Sequence, residues 1–223
     1  MDPWTGNHRF QLVPNQPARL PSGQSMDAGW ADYNGDGRVD LLVANGYDRG
    51  EANVLYRSNP DGTFTAVSAS EAGALVSDRA TTLLCTWVDY DMDGIPDVAT
   101  LAGSQVRLYH NDGSGRFSRV PIPDFSANNG RWGLAWVDYD NNGFLDLMVA
   151  CGDAMGFPGF LGQKSHLYRN NGNGNHWLKV RLTGTTSNRD GIGAKVRVKA
   201  TISEYLIPAE ATSSAAFYRA TAE

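Results

Sequence analysis

Apolar and polar stretches recur in a fixed order along this chain. Short apolar runs stand at Val39 to Ala44, Asp97 to Ala102 and Leu145 to Ala150. Each follows an Asp/Asn/Gly cluster, and each cluster follows a tryptophan signature. The signatures are Trp30-Ala31-Asp32-Tyr33, Trp87-Val88-Asp89-Tyr90 and Trp136-Val137-Asp138-Tyr139. Each run leads on to a Leu-Tyr pair, at Leu55-Tyr56, Leu108-Tyr109 and Leu167-Tyr168, and then to an Asn/Gly turn. In the first two copies a phenylalanine follows, Phe64 and Phe117. The aspartates that open the clusters, at 32, 89 and 138, lie 57 and 49 residues apart.

Each unit therefore offers about four short segments of β-type composition separated by turn clusters. Four strands in about 50 residues is the size of a β-propeller blade. A helical repeat of this period would need amphipathic stretches of about 10–15 residues, and none is present. The predicted fold is all-β: an incomplete β-propeller of about three four-stranded blades, with a short C-terminal β extension. Phe10-Gln11-Leu12-Val13 is similar to Phe64-Thr65-Ala66-Val67 and Phe117-Ser118-Arg119-Val120, so the chain is expected to begin partway through a repeat. Propellers typically close with about 4–8 blades. Three blades leave the ring open, and a fragment of a longer array is the expected status.

The clusters carry the chemistry. They read Asp32 to Asp40, Asp89 to Asp97 and Asp138 to Asp146, with oxygen-bearing side chains at positions 1, 3, 5 and 9 and glycine at position 6. Alternate residues of a tightly wound loop converge, and calcium takes about 6–8 oxygen ligands in flexible geometry. The candidate ligands are Asp32, Asn34, Asp36 and Asp40; Asp89, Asp91, Asp93 and Asp97; and Asp138, Asp140, Asn142 and Asp146. Position 7 (Arg38, Ile95, Phe144) is expected to supply a backbone carbonyl. Glycine at position 6 allows the sharp turn. An EF-hand would need a glutamate at position 12 and flanking helices. Position 12 is instead Val43, Thr100 or Val149, inside a strand-like run, and Pro96 opposes a helix in the second copy. The expectation is about three Ca2+ sites on β-hairpins, with magnesium disfavoured by its demand for strict octahedral geometry.

Composition agrees. Of the 24 acidic residues ten fall inside the three loops, so one divalent cation per loop would take the formal charge from −5 to about +1. The 25 glycines cluster with Asn and Asp, as in chains with many tight turns. No Lys/Arg run suited to phosphates is present, which argues against nucleic acid, and no apolar stretch approaches a membrane span. Residues 1–9 hold no signal-peptide core. Cys85 and Cys151 read as two buried free thiols or one bridge. The four histidines fall out of register and read as surface or strand residues. His110 occupies the slot held by Arg57 and Arg169. The recurrent Trp and Tyr residues read as packing between blades, with a carbohydrate-binding face as the alternative.

The Asp-x-[Asp/Asn]-x-[Asp/Asn]-Gly-x-x-Asp loops make residues 28–175 resemble the FG-GAP/VCBS repeat family, found in the propeller blades of integrin α subunits and many bacterial secreted proteins. Residues 175–200, including Asn188, Gly191 and Gly193, look like a partial ASPIC/UnbV module. The implied organisation is a propeller-type region at 1–174, that module at 175–200, with strands at His176 to Leu182 and Ala194 to Lys199, and a divergent tail at 201–223 of short helix or disorder. The resemblance implies an extracellular, secreted or periplasmic calcium-binding module for adhesion to a protein or glycan. The rival expectations are a structural subunit self-associating through open propeller edges, and the non-catalytic part of a secreted carbohydrate-active or hydrolytic enzyme. No nucleophile elbow, paired Cys/His spacing or phosphate loop is present, so the expectation is a non-enzyme.

Overall fold

The computed structural model describes residues 24–46, 50–103, 105–122, 131–151, 164–174, 180–184 and 218–222. Three antiparallel sheets follow one another along the chain. The first contains β1 (Ser25–Ala31), β2 (Asp40–Asn45), β3 (Val54–Ser58) and β4 (Phe64–Ala66), paired in that order. Two short helices, α1 (Ala69–Ala72) and α2 (Ala74–Ser77), lead to the second sheet, β5 (Thr82–Val88), β6 (Asp97–Ala102), β7 (Gln105–Asn111) and β8 (Phe117–Val120). The third contains β9 (Arg131–Val137), β10 (Asp146–Cys151) and β11 (His166–Tyr168) among the described residues. These are the sheets of an unclosed, propeller-type array, and the all-β expectation holds.

The first hairpin of each sheet has the same register. Ala31 pairs with Asp40, Val88 with Asp97 and Val137 with Asp146, so the intervening loop is the same length each time. Each hairpin also carries a bulge at Met26, Leu83 or Trp132, six residues before the loop's first aspartate. One inserted residue bends a strand and increases its twist. Repetition of the bulge makes it part of the blade's construction.

The middle sheet is covered on both faces, and β6 is buried at every position. Its side chains alternate between neighbours as a pleated strand requires. Val98 joins a core with Tyr33, Leu42, Leu55 and Leu75 of the first blade, while Ala99 and Leu101 face Trp136, Leu145 and Leu147 of the third. Apolar residues on both faces of an antiparallel strand follow from this stacking. Trp87 packs between blades against Tyr33, with ring centroids 6.5 Å apart, and against Phe117 at 6.2 Å. Trp30 departs from the expectation: it is 55% exposed and touches only Phe64 of its own sheet among the ring contacts described. No described sheet covers that face of the first blade.

Helix α1 was not foreseen, although its signal is local. Ser68 caps it, accepting from the Glu71 N–H, and the Glu71 carboxylate accepts from the Ser68 N–H. This reciprocal pair satisfies two otherwise orphaned donors. Ala72 and Leu75 of the two helices are fully buried in the first interblade core.

Residues 176–223 form a separate unit, in which β12 (Val180–Gly184) pairs antiparallel with β13 (Tyr218–Ala222). The reading of the tail as helix or disorder is corrected at 218–222. Backbone pairing with β12 supplies the ladder there, and such pairing overrides the weak strand preference of an Ala-rich segment. The strand expected at Ala194 to Lys199 and most of the ASPIC/UnbV-like segment lie outside the described residues. Cys85 and Cys151 are both free, Cys85 buried and Cys151 half-buried. Burial pushes the Cys85 thiol up to about 12, so it stays protonated. Among the described residues no helix is long and apolar enough to cross a membrane.

Candidate metal centre

The three loops fold by one local hydrogen-bond scheme. At position 1, one aspartate oxygen accepts from the N–H of position 5 and the other from the glycine N–H of position 6. The distances are 3.0 and 2.8 Å at Asp32, 3.1 and 3.0 Å at Asp89, and 3.0 and 3.1 Å at Asp138. Position 5 then accepts from the N–H of position 7, at Asp36, Asp93 and Asn142. These side-chain acceptors wind the backbone and turn the remaining lone pairs inward.

The winding needs left-handed backbone twice. Position 6 is glycine with φ of 83°, 86° and 90°, as the sequence led one to expect. Position 4 is left-handed too, in Gly35 (φ 70°), Met92 (φ 59°) and Asn141 (φ 57°). Position 4 was not singled out, because only the first copy places glycine there.

The position-9 aspartates are fully buried. One oxygen of each accepts, at 2.7 Å, from the N–H that ends the sheet's third strand or follows it: Ser58 for Asp40, Asn111 for Asp97, Asn170 for Asp146. Asp146 Oδ2 accepts from the Tyr139 N–H at 3.1 Å, and the Tyr33 and Tyr90 N–H groups face Asp40 and Asp97 in the same way, but more weakly, so that the buried Oδ2 atoms there lack a hydrogen bond of good geometry. A buried carboxylate oxygen left unpaired is costly, and a cation is the partner that best relieves it. Burial raises the Asp40 carboxyl above its usual range, opposed by the Ser58 N–H. Burial pushes Asp97 up to about 6, opposed by the Asn111 N–H and reinforced by the Asp91 charge. Asp91 is raised by its own burial and then by Asp93. The donor set is thus one that a cation would keep ionised.

Among the described residues, ligand atoms of Asp89, Asp91 and Asp93 lie within 4.8 Å of one another, as do those of Asp138, Asp140 and Asp146. The first loop does not gather Asp32, Asp36 and Asp40 in this way. Its position 3 is the neutral Asn34, and the Arg38 guanidinium draws Asp36 Oδ2 to itself. In the third loop Asn142 donates its amide to the Asn170 carbonyl, leaving its oxygen for the Phe144 N–H.

Position 7 has a role that the carbonyl reading did not include. Its side chain rests on the turn after the third strand. A Cβ on Gly113 would sit 3.1 Å from Ile95 Cδ1, one on Gly172 2.5 Å from the Phe144 ring, and Arg38 Nε donates to the Ser58 carbonyl at 3.0 Å. The two turns of each blade lock together beside the loop.

An interblade clamp, also not foreseen, holds successive loops in place. The buried Asn111 amide donates to the Tyr33 carbonyl of the preceding loop at 2.8 Å and to Pro96 O at 3.1 Å. Asn170 repeats this with Tyr90 O at 2.7 Å and Leu145 O at 3.2 Å. The carbonyls reached, Tyr33 and Tyr90, are at position 2 of the loop one blade earlier.

The profile of the FG-GAP-like repeat matches the chain twice, over residues 32–100 and 89–149. Together the matches cover more than half of the chain and all three loops. The chain belongs to the FG-GAP-like repeat family. A search of curated proteins finds no match. The FG-GAP-like region stops before residue 175, so the module expected at 175–200 rests on its sequence resemblance alone.

Proposed function

We propose that the FG-GAP-like loops bind calcium and that the chain serves as a non-catalytic extracellular module, secreted or periplasmic, whose calcium-braced loops present a surface to a protein or glycan. The observation that carries the metal reading is the same fully buried carboxylate in three copies, with Oδ2 lacking a hydrogen bond of good geometry in two of them. Positions 1, 3, 5 and 9 would supply side-chain oxygens and position 7 a carbonyl, a hard all-oxygen set suited to calcium. The bound cation would supply charge neutralisation, and the Asp/Asn network would orient the donors. Loops positioned by a rigid scaffold are where recognition usually resides.

The test is heat denaturation with and without calcium. Binding to the native state raises stability by RT ln(1 + [L]/Kd), so Tm should rise with millimolar calcium and not with equal magnesium. Asp93→Ala and Asp138→Ala should each remove part of the rise. An unchanged Tm in the parent protein would refute the reading.

A second reading is self-association through open blade faces, with no enzymatic role. Trp30 is 55% exposed and Tyr139 47%, whereas their counterparts Trp87 and Tyr33 stack on each other between blades. A second copy could place its Tyr139 against Trp30. A molar mass by light scattering that stays monomeric from about 1 to 100 μM, in a range where interfaces of this kind assemble, would exclude it.

A further inference from the structure

We infer that the second blade carries a mixed nitrogen–oxygen metal site, His110 with Asp91 and Asp97, which takes a zinc-class divalent ion in competition with calcium. Ligand atoms of the three residues lie within 4.8 Å of one another. His110 Nδ1 is 3.4 Å from Asp91 Oδ2 and 3.3 Å from Asp97 Oδ1. Neither contact has hydrogen-bond geometry, and His110 Nδ1 is buried without a hydrogen-bond partner. Asp97 is fully buried. A buried imidazole nitrogen with no hydrogen bond thus lies within 3.4 Å of one oxygen from each of two carboxylates, the nearer belonging to the fully buried Asp97.

The spacing fits an ion of this class. Zinc binds imidazole nitrogen and carboxylate oxygen at about 2.0–2.2 Å, and tetrahedral ligands at that radius stand about 3.3–3.6 Å apart. The two nitrogen–oxygen separations fall in that range. Calcium takes oxygen ligands at about 2.3–2.6 Å and gains nothing from an imidazole. Two carboxylates and one histidine leave a position for solvent, and imidazole with carboxylate is a ligand set that zinc takes. Asp97 Oδ1 retains a lone pair after accepting the Asn111 N–H.

The sister blades show what the histidine replaces. The same slot holds Arg57 in the first blade and Arg169 in the third. Arg169 Nε lies 2.6 Å from Asp140 Oδ2, so in the third loop a fixed cation occupies the position-3 carboxylate. In the first, position 3 is the neutral Asn34, and Arg57 turns toward Glu71 at 3.9 Å. Only the second blade, of these three, pairs a position-3 carboxylate with a side chain that is itself a metal ligand. The substitution exchanges a guanidinium that would repel an incoming cation for an imidazole that would bind one. This inference needs no calcium in the first or third loop. It does imply that calcium and a zinc-class ion would compete for the second, because Asp91 and Asp97 serve both.

Cobalt(II) is the probe, added to the full chain in calcium-free buffer. The expected result is a visible ligand-field band that saturates at one equivalent. A single exchangeable imidazole proton should be shifted far downfield in the NMR spectrum. His110→Arg, which restores the sister residue, and His110→Gln should each weaken cobalt binding at least about tenfold, the scale on which losing a partner at a metal site is felt. Both should keep the parent Tm without metal, and His166→Ala should bind as the parent does. Excess calcium displacing cobalt from the parent would support the shared site. Cobalt retained under excess calcium, with the histidine dependence intact, would support the mixed site while counting against calcium in the second loop. Binding unchanged in both His110 variants, or no band and no imidazole shift at about 100 μM cobalt, would overturn the inference.

Discussion

The sharpest perturbation of the proposed metal chemistry is Asp97→Asn, because its sign should reverse with calcium. Asp97 is fully buried, and burial, with Asp91 nearby, moves its carboxyl from the ordinary 3.8 to about 6. A folded-state pKa above the unfolded one means that the native protein holds the extra proton. The resulting stabilisation is complete below about pH 4 and is lost as pH rises through about 6. At pH 7.5 the ionised carboxylate in the metal-free fold therefore carries a penalty of up to about 3 kcal/mol, at 1.36 kcal/mol per unit. Asparagine keeps an oxygen for the Asn111 N–H and carries no charge. In EGTA at pH 7.5, Asp97→Asn should thus equal or exceed the parent in stability, with the advantage shrinking toward pH 4. Calcium at 100 times its Kd returns about 2.7 kcal/mol to a parent loop. The variant loop should gain much less. Urea unfolding followed by tryptophan fluorescence in EGTA and in calcium, at pH 7.5 and pH 4.5, measures all four values. Destabilisation of equal size in EGTA and in calcium would refute the argument, since it would make Asp97 only a hydrogen-bond acceptor.

Other expected outcomes test the frame around the loops. Met92 occupies a left-handed position, which costs a non-glycine residue about 1–2 kcal/mol, so Met92→Gly should leave stability unchanged or raise it slightly, while β-branched Met92→Val should lower it; urea midpoints separate the two. Asn111→Ala removes the amide bonds to Tyr33 O and Pro96 O from a fully buried site and should cost about 2–4 kcal/mol by urea unfolding, with or without calcium. Gly115 and Gly62 have similar positive φ, 86° and 81°, but a Cβ on Gly115 would meet the Tyr33 ring at 2.8 Å while one on Gly62 meets nothing within 4 Å. Gly115→Ala should therefore lower Tm more than Gly62→Ala, and equal losses would deny that Tyr33 packs there.

The loops and their hairpins were legible because everything that forms them is local. Nine residues contain the carboxylate spacing, the position-6 glycine and the partner that begins the next strand, so three copies in register were enough. Interblade features were harder. The Asn111 clamp reaches back 78 residues to Tyr33 and the Asn170 clamp 80 residues to Tyr90. In the first blade that slot is Ser58, so no three-fold pattern pointed to it. Position 4 was hidden for a similar reason, since the fold imposes a left-handed backbone on Met92 without any residue preference to signal it. Trp30 shares its signature with Trp87 and Trp136, yet it is exposed, because burial depends on which blade lies alongside.

Repetition explains both the successes and the misses. What is common to the three units builds the blade: the bulge, the eight-residue hairpin loop and the buried aspartate recur with the same register. What differs has to be explained by chemistry rather than by scaffold. The slot held by Arg57, His110 and Arg169 shows this best. Its backbone position is the same each time, while the partner changes from Glu71 to a pair of loop carboxylates to Asp140. Three loops wound by one hydrogen-bond scheme thus have three electrostatic environments. Reducing the slot to arginine in the second blade, or to histidine in the third, should exchange those environments without disturbing the fold. On the proposed metal chemistry, metal preference in this array would follow the residue beside the loop as much as the loop itself.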